Sequence, residues 1–185
     1  MTGSAALPPD LEAAVAFHGH LCPGLLIGYR AAKAAAASLE VGRSEDEDLV
    51  LVAENASCSV DAFQALLSTT FGKGNLHLED NGKQVFTLGD RATGRAVRVA
   101  LRFDAFDAAG ADRDAKIDRL LHAGTEELFH LNPVRLRLPD KAQVLPTVRC
   151  ARCREGAMVT RTVTNADQVY CLPCARDLGL VSDGL

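Results

Sequence analysis

Six cysteines and a close pair of histidines are the residues of this chain with the most chemistry to offer. Four of the cysteines, Cys150, Cys153, Cys171 and Cys174, form two CxxC pairs separated by seventeen residues. Two residues between cysteines let one tight turn aim both sulfurs at a single ion, and two such turns complete a tetrahedral shell of four thiolates around zinc. A shell of four sulfurs has no open position for water or substrate, so the expectation is a structural zinc ribbon rather than a catalytic centre. Four ordinary buried cysteines, or redox-active CxxC pairs, are the competing readings, and the paired spacing favours the metal.

The second constellation is His18-Gly19-His20-Leu21-Cys22-Pro23-Gly24, which packs two imidazoles and a thiol into five residues. Pro23 disfavours helix at Cys22, which places Cys22 at the N-cap of the helix that follows. The helix dipole and free N–H groups favour a thiolate there. Cys58 stands at the start of another expected helix, with Asp61 in its first turn. His20, Cys22 and Cys58, or His18 in place of one of them, would give three nitrogen and sulfur ligands and leave a fourth position open, the pattern of a catalytic or transport-type second metal site. Taken alone, Cys58 reads as a small buried hydrophobe. The clustered His and Cys residues have no such explanation in helix propensity or core packing. His77, His122 and His130 lack this context and read as structural. The loop Thr69–Asn75 offers flexible backbone and the cation of Lys73, with Asn75 at its end, and could close over an anionic or carbonyl-bearing ligand. It fails the phosphate-loop pattern, because Gly72-Lys73 is followed by Gly74 rather than Ser or Thr.

These residues need a scaffold. Pro8, Pro9 and Asp10 open a helix reaching His18, and Pro23 opens a longer one running to about Glu40 through good helix formers. The continuously apolar run Leu49–Ala53 suits a buried, central strand. A short helix then carries Cys58, Asp61, Phe63 and Leu67. Asn81-Gly82, between Leu76–Leu78 and the segment QVFTL, predicts a two-residue hairpin. The alternating segment RAVRVALRF is a third strand, the next segment is an amphipathic helix closed by Gly124, and a helix end is expected before Pro133 with a strand after it. Pro139 and Pro146 bracket a polar linker. The expected fold class is α+β, a mixed or antiparallel sheet with packed helices over residues 1–143, followed by the small ribbon over residues 144–185, with each CxxC on its own hairpin turn.

With 185 residues, 48% hydrophobic and 24% charged, the chain holds one sizeable core plus a satellite and is not a disordered segment. A net charge of -4 gives no whole-chain reason to bind nucleic acid or an anionic membrane. Five arginines between positions 149 and 176, against Glu155 and Asp167, make the ribbon locally basic. They read first as compensation for four thiolates, and second as a surface for phosphates or an acidic partner. No stretch approaches the length of a membrane span and the start lacks a basic leader, so a cytoplasmic protein with reduced cysteines is expected.

The segment FHGHLCPGLLIGYRAA at 17–32, Cys58 with Asp61, the FGKGN loop with the Asn-Gly turn and the four-cysteine ribbon together resemble the FmdE family of formylmethanofuran dehydrogenase proteins. The resemblance implies an α+β domain followed by a zinc-binding domain, commonly assembled as a homodimer. It implies that His18, His20, Cys22 and Cys58 match the family's metal or active site, with Asp61, Lys73 and Asn75 near it. Two functions compete. One is a metal-dependent enzyme or an accessory protein of C1 or formyl-type redox metabolism acting on a small molecule. The other is a non-catalytic binding module, metal sensor or metallochaperone whose ribbon contacts nucleic acid or a protein partner.

Overall fold

The computed structural model describes residues 6–107, 109–110, 112–135 and 141–182. The chain divides into two compact units, Met1–Ala142 and Gln143–Leu185.

In the larger unit, α1 (Pro9–His18) opens with Pro9 at its first position and closes at Gly19, whose φ of 101° is left-handed. Glycine reaches that conformation without a Cβ penalty, so the helix stops directly after His18 and the chain reverses. The next helix, α2 (Pro23–Leu39), begins four residues later with Cys22 as its N-cap. β1 (Leu49–Ala53) is buried at every position. α3 (Cys58–Leu67) follows directly, with Ser57 as N-cap and Asp61 in its first turn.

A five-stranded mixed sheet forms the floor. Besides β1 it contains β2 (Leu76–Leu78), β3 (Val85–Asp90), β4 (Ala96–Leu101) and β5 (Phe129–Val134), in the order β2-β1-β3-β4-β5. β1 pairs parallel with β2, and every other pairing is antiparallel. One face of the sheet presents Leu51, Phe86, Leu88, Val97 and Val99 to the helices, and the Phe63 and Phe86 rings meet with centroids 4.8 Å apart. Close approach of α2 to α3 depends on Gly28, where a Cβ would overlap the backbone carbonyl of Ser59. This contact fixes the N-termini of α2 and α3, and with them Cys22 and Cys58, side by side. Between β4 and β5 lie α4 (Arg113–His122) and the single turn α5 (Thr125–Leu128).

Three local expectations fail in the larger unit. Asn81-Gly82 does not join β2 to β3 as a hairpin, because β1 lies between them. Asp80 Oδ1 accepts the Gly82 N–H, while the Glu79, Asn81 and Lys83 N–H groups donate to carbonyls of Ala53 and Glu54, so the turn carries the chain across the end of β1. Pro133 does not end a helix but sits inside β5, which tolerates it as an edge strand whose outward positions need no N–H donor. Gly124 is the N-cap of α5 rather than the end of α4, which stops at Ala123.

The smaller unit is two hairpins and a helical turn. β6 (Thr147–Arg149) pairs with β7 (Gly156–Met158), and after a 3-10 turn β8 (Thr162–Asn165) pairs with β9 (Gln168–Cys171). Cys150 and Cys153 occupy the turn of the first hairpin. The second pair does not sit on a hairpin turn: Cys171 ends β9 and Cys174 lies in α6 (Leu172–Asp177), which Pro173 opens.

Candidate metal centres

The larger unit gathers His18, His20 and Cys22, whose ligand atoms all lie within 4.8 Å of one another. The end of α1 supplies His18, the reversal at Gly19 supplies His20, and the N-cap of α2 supplies Cys22. Cys22 Sγ accepts the Leu25 N–H at 3.3 Å and lies 3.7 Å from His18 Nε2. The opposite nitrogen of that ring, Nδ1, is 2.8 Å from Asp61 Oδ2, a pairing that spans 43 positions of sequence and arises because α1 packs on α3. Gln64 Nε2 donates to the other carboxylate oxygen at 3.1 Å. A carboxylate that accepts at Nδ1 leaves Nε2 turned toward Cys22. A carboxylate behind a histidine is the usual support of a metal-ligating imidazole. Arg113 of α4 donates to the Leu21 carbonyl at 2.8 Å and ties down the segment between His20 and Cys22.

Cys58 lies beside Cys22 without joining that trio: a Cβ at Gly24 would stand 3.6 Å from Cys58 Sγ and 3.9 Å from Cys22 Sγ. Burial, then the neighbouring Cys22 thiol, push the Cys58 thiol above its ordinary value of 9.0. Cys58, His18 and Asp61 line a cleft of about 380 Å³ together with Phe71, Leu76 and Leu78. Leu76 and Leu78 carry no mark of a site in the sequence, and Phe71 is marked only by its place in the Thr69–Asn75 loop. Leu76 and Leu78 show only the alternation of a short strand, and Phe71 reads as part of a surface turn.

Lys73 and Asn75 are not among the residues that line this cleft. Lys73 Nζ donates to the Asp46 carbonyl and to Ser68 Oγ, both at 2.9 Å. Asn75 is fully buried, accepts the Thr70 N–H and donates to the Leu49 carbonyl, so its side chain staples the loop to β1. Asp46, Leu49 and Ser68, all outside the loop, take up the donors that sequence alone left free for a ligand.

In the smaller unit Cys150, Cys153, Cys171 and Cys174 also place their sulfurs within 4.8 Å of one another. Cys153 Sγ and Cys171 Sγ are 3.8 Å apart, close to the edge of about 3.8 Å that a tetrahedron with Zn–S bonds of about 2.3 Å requires. The Cys171 N–H donates to Cys150 Sγ at 3.4 Å and, against the effect of burial, lowers that thiol to about 6. An N–H from Glu155 acts the same way on Cys153, but burial and its three sulfur neighbours prevail and push it up to about 12. Burial and the adjacent Cys171 also raise Cys174. Four thiols this close ionise together only with a cation among them, so the donor set fits a metal ion.

The family model described as FmdE, molybdenum formylmethanofuran dehydrogenase operon, matches residues 17–131, which include the trio of His18, His20 and Cys22, Cys58, Asp61 and strands β1 to β4. The chain belongs to the FmdE family. A crystal structure of a tungsten formylmethanofuran dehydrogenase FmdE-like protein from Syntrophus aciditrophicus is 26% identical, with a TM-score of 0.69, covering 95% of this chain and 92% of that one. A probable S-adenosyl-L-methionine-binding protein from Archaeoglobus fulgidus is 28% identical over 188 residues, covering 86% of this chain. This FmdE-family chain spans about half (50%) of that curated relative's length. The α+β fold with a mixed sheet, read from the sequence, is the fold observed, and it carries Cys and His groups able to hold metal. Among the described residues no helix is long and apolar enough to cross a membrane.

Proposed function

We propose that this FmdE-family chain binds two metal ions of different purpose. A zinc ion held by Cys150, Cys153, Cys171 and Cys174 organises the smaller unit. A second transition metal held by His18, His20 and Cys22, with Cys58 at its side, equips a metal-dependent enzyme or an accessory protein of C1 or formyl-type redox metabolism in the cytoplasm. The single observation that carries this reading is the placement of His18, locked by Asp61 on one nitrogen and facing Cys22 with the other.

A divalent ion bound there supplies Lewis acidity toward a carbonyl oxygen or a water molecule. The chain's own residues do the rest. Asp61, itself held by Gln64, keeps the proton on His18 Nδ1 and prevents the ring from turning. Arg113 fixes the His20–Cys22 segment. Cys58 lines the cleft beside Cys22 and meets a ligand there. We assign Lys73 and Asn75 the role of holding the loop that carries Phe71, rather than contact with a reacting group. S-adenosyl-L-methionine is a candidate ligand on the strength of the Archaeoglobus relative, and direct titration with it is the check.

A second reading, a non-catalytic binding module or metal sensor, finds support in the smaller unit. Met158 and Val159 are exposed there beside the basic residue Arg161, a surface suited to an acidic protein partner or, less well, to nucleic acid. Assembly as a homodimer remains part of the proposal, and sedimentation analysis tests it. The decisive experiment for the first reading is elemental analysis of the purified chain beside a Cys22→Ala/Cys58→Ala variant. The parent should carry about two metal ions per chain and the variant about one. A variant that keeps every ion of the parent refutes the second site.

A further inference from the structure

The cleft beside His18 has two kinds of wall. One is polar and comes from α1 and α3: His18, Cys58 and Asp61. The other comes from the segment at Phe71 and from β2, at the edge of the sheet, and consists of Phe71, Leu76 and Leu78. Phe71 is 60% exposed and Leu78 is 42% exposed, while Leu76 is buried. Two large apolar side chains held open to solvent at the rim of a pocket with one polar wall cost solvation unless something apolar covers them during function.

Charge narrows the occupant. Asp61 is the one fully charged side chain among the residues lining the cleft. Lys73, the cation nearest in sequence to Phe71, is engaged with the Asp46 carbonyl and Ser68. A carboxylate or phosphate lying against Phe71 and Leu78 would lose water and gain no cation among the lining residues. A volume of about 380 Å³ lies toward the small end of ligand pockets, which run from about 300 to 1,000 Å³.

We propose that the cleft takes a compact two-ended small molecule. Its polar head meets the wall of His18, Cys58 and Asp61, and its tail is an uncharged aryl or branched alkyl group packed on Phe71, Leu76 and Leu78. The head rests on the metal reading above; the tail rests on the cleft wall alone.

The test holds the head constant and varies the tail. The metal-loaded full chain is titrated calorimetrically with acetohydroxamic acid, phenylacetohydroxamic acid and 4-carboxyphenylacetohydroxamic acid. The phenyl compound should bind about tenfold more tightly than the methyl one, and the added carboxylate should remove most of that gain. Phe71→Ala, an exposed position, should abolish the gain while metal content stays that of the parent. Equal affinity for all three, tighter binding of the carboxylated compound, or a gain that survives Phe71→Ala overturns the inference. A chain without metal in the larger unit refutes the metal reading, and the tail site is then read from 2-phenylethanol against 3-phenylpropionate. The alcohol should bind about fivefold more tightly, and equal or reversed affinity overturns the tail site too.

Discussion

The two sulfur-bearing regions of this chain differ in what stands behind them. Around His18, His20 and Cys22 there is a five-stranded sheet with helices packed over it and a continuous apolar core running from Leu11 to Phe129. Around the four ribbon cysteines, the buried residues among those described in the smaller unit are Cys150, Cys174 and Ala175. Burial of apolar surface supports the first site, and it cannot support the second, where two of the three buried side chains are themselves ligand candidates. On the proposed two-metal reading, metal binding and folding are one event in the smaller unit and two separable events in the larger one.

The largest effect that would break this contrast comes from Cys153→Ser. Loss of one sulfur from the four should abolish amide protection across residues 143–185 while the sheet of the larger unit keeps its own, as read by hydrogen exchange. A ribbon that stays protected in this variant would show that it folds without its metal. Next is Gly28→Ala, whose added methyl meets the Ser59 carbonyl and must push α2 from α3. It should cost the larger unit about 3 kcal/mol in chemical denaturation and leave the smaller one unchanged. A smaller effect sharpens the first site. Asp61→Asn leaves the carbonyl oxygen to accept from His18 but removes the charge, and should weaken metal affinity in the larger unit about 10- to 100-fold with little change in its stability.

Much of this contrast is legible in the sequence because it rests on short-range signals. The CxxC spacing, Pro23 after Cys22, the glycine after His18 and the apolar run at Leu49–Ala53 each act within a turn or a strand, and each reappears in the structure. What escapes depends on contacts far apart in sequence. Asp61 stands out from its place in the first turn of α3, but its bond to His18 needs α1 to lie on α3. The Asn81-Gly82 turn carries a strong local hairpin signal, yet β1 offers β2 a parallel partner and wins. Lys73 reads as a free cation in the sequence, whereas its loop folds back on Asp46 and Ser68. The apolar cleft wall has no local mark, since exposure is decided only when the sheet edge is built.

The smallest effect concerns acid stability of the larger unit. Tyr29 and Lys33 both bond to the Asp10 carboxylate, Lys33 Nζ at 2.6 Å. Despite the opposing effect of burial, these bonds hold Asp10 below its ordinary value of 3.8. A carboxyl group depressed in the folded state contributes stability above its unfolded value, and that contribution is lost as pH falls through the folded one. Asp10→Asn should therefore flatten the decline in stability of the larger unit below about pH 4, by less than about 1 kcal/mol because the pair is partly exposed. Denaturation midpoints of both proteins across that range check it.

The most direct test of the central claim is stepwise removal of metal by a chelator, with the bound metal counted and amide exchange followed at each step. Metal should leave in two stages. The first ion leaves the His18, His20 and Cys22 group with the larger unit's protection intact, and the second leaves together with the protection of residues 143–185. A single stage in which both ions depart with the smaller unit still protected, or a first stage that melts the sheet of the larger unit, would contradict it.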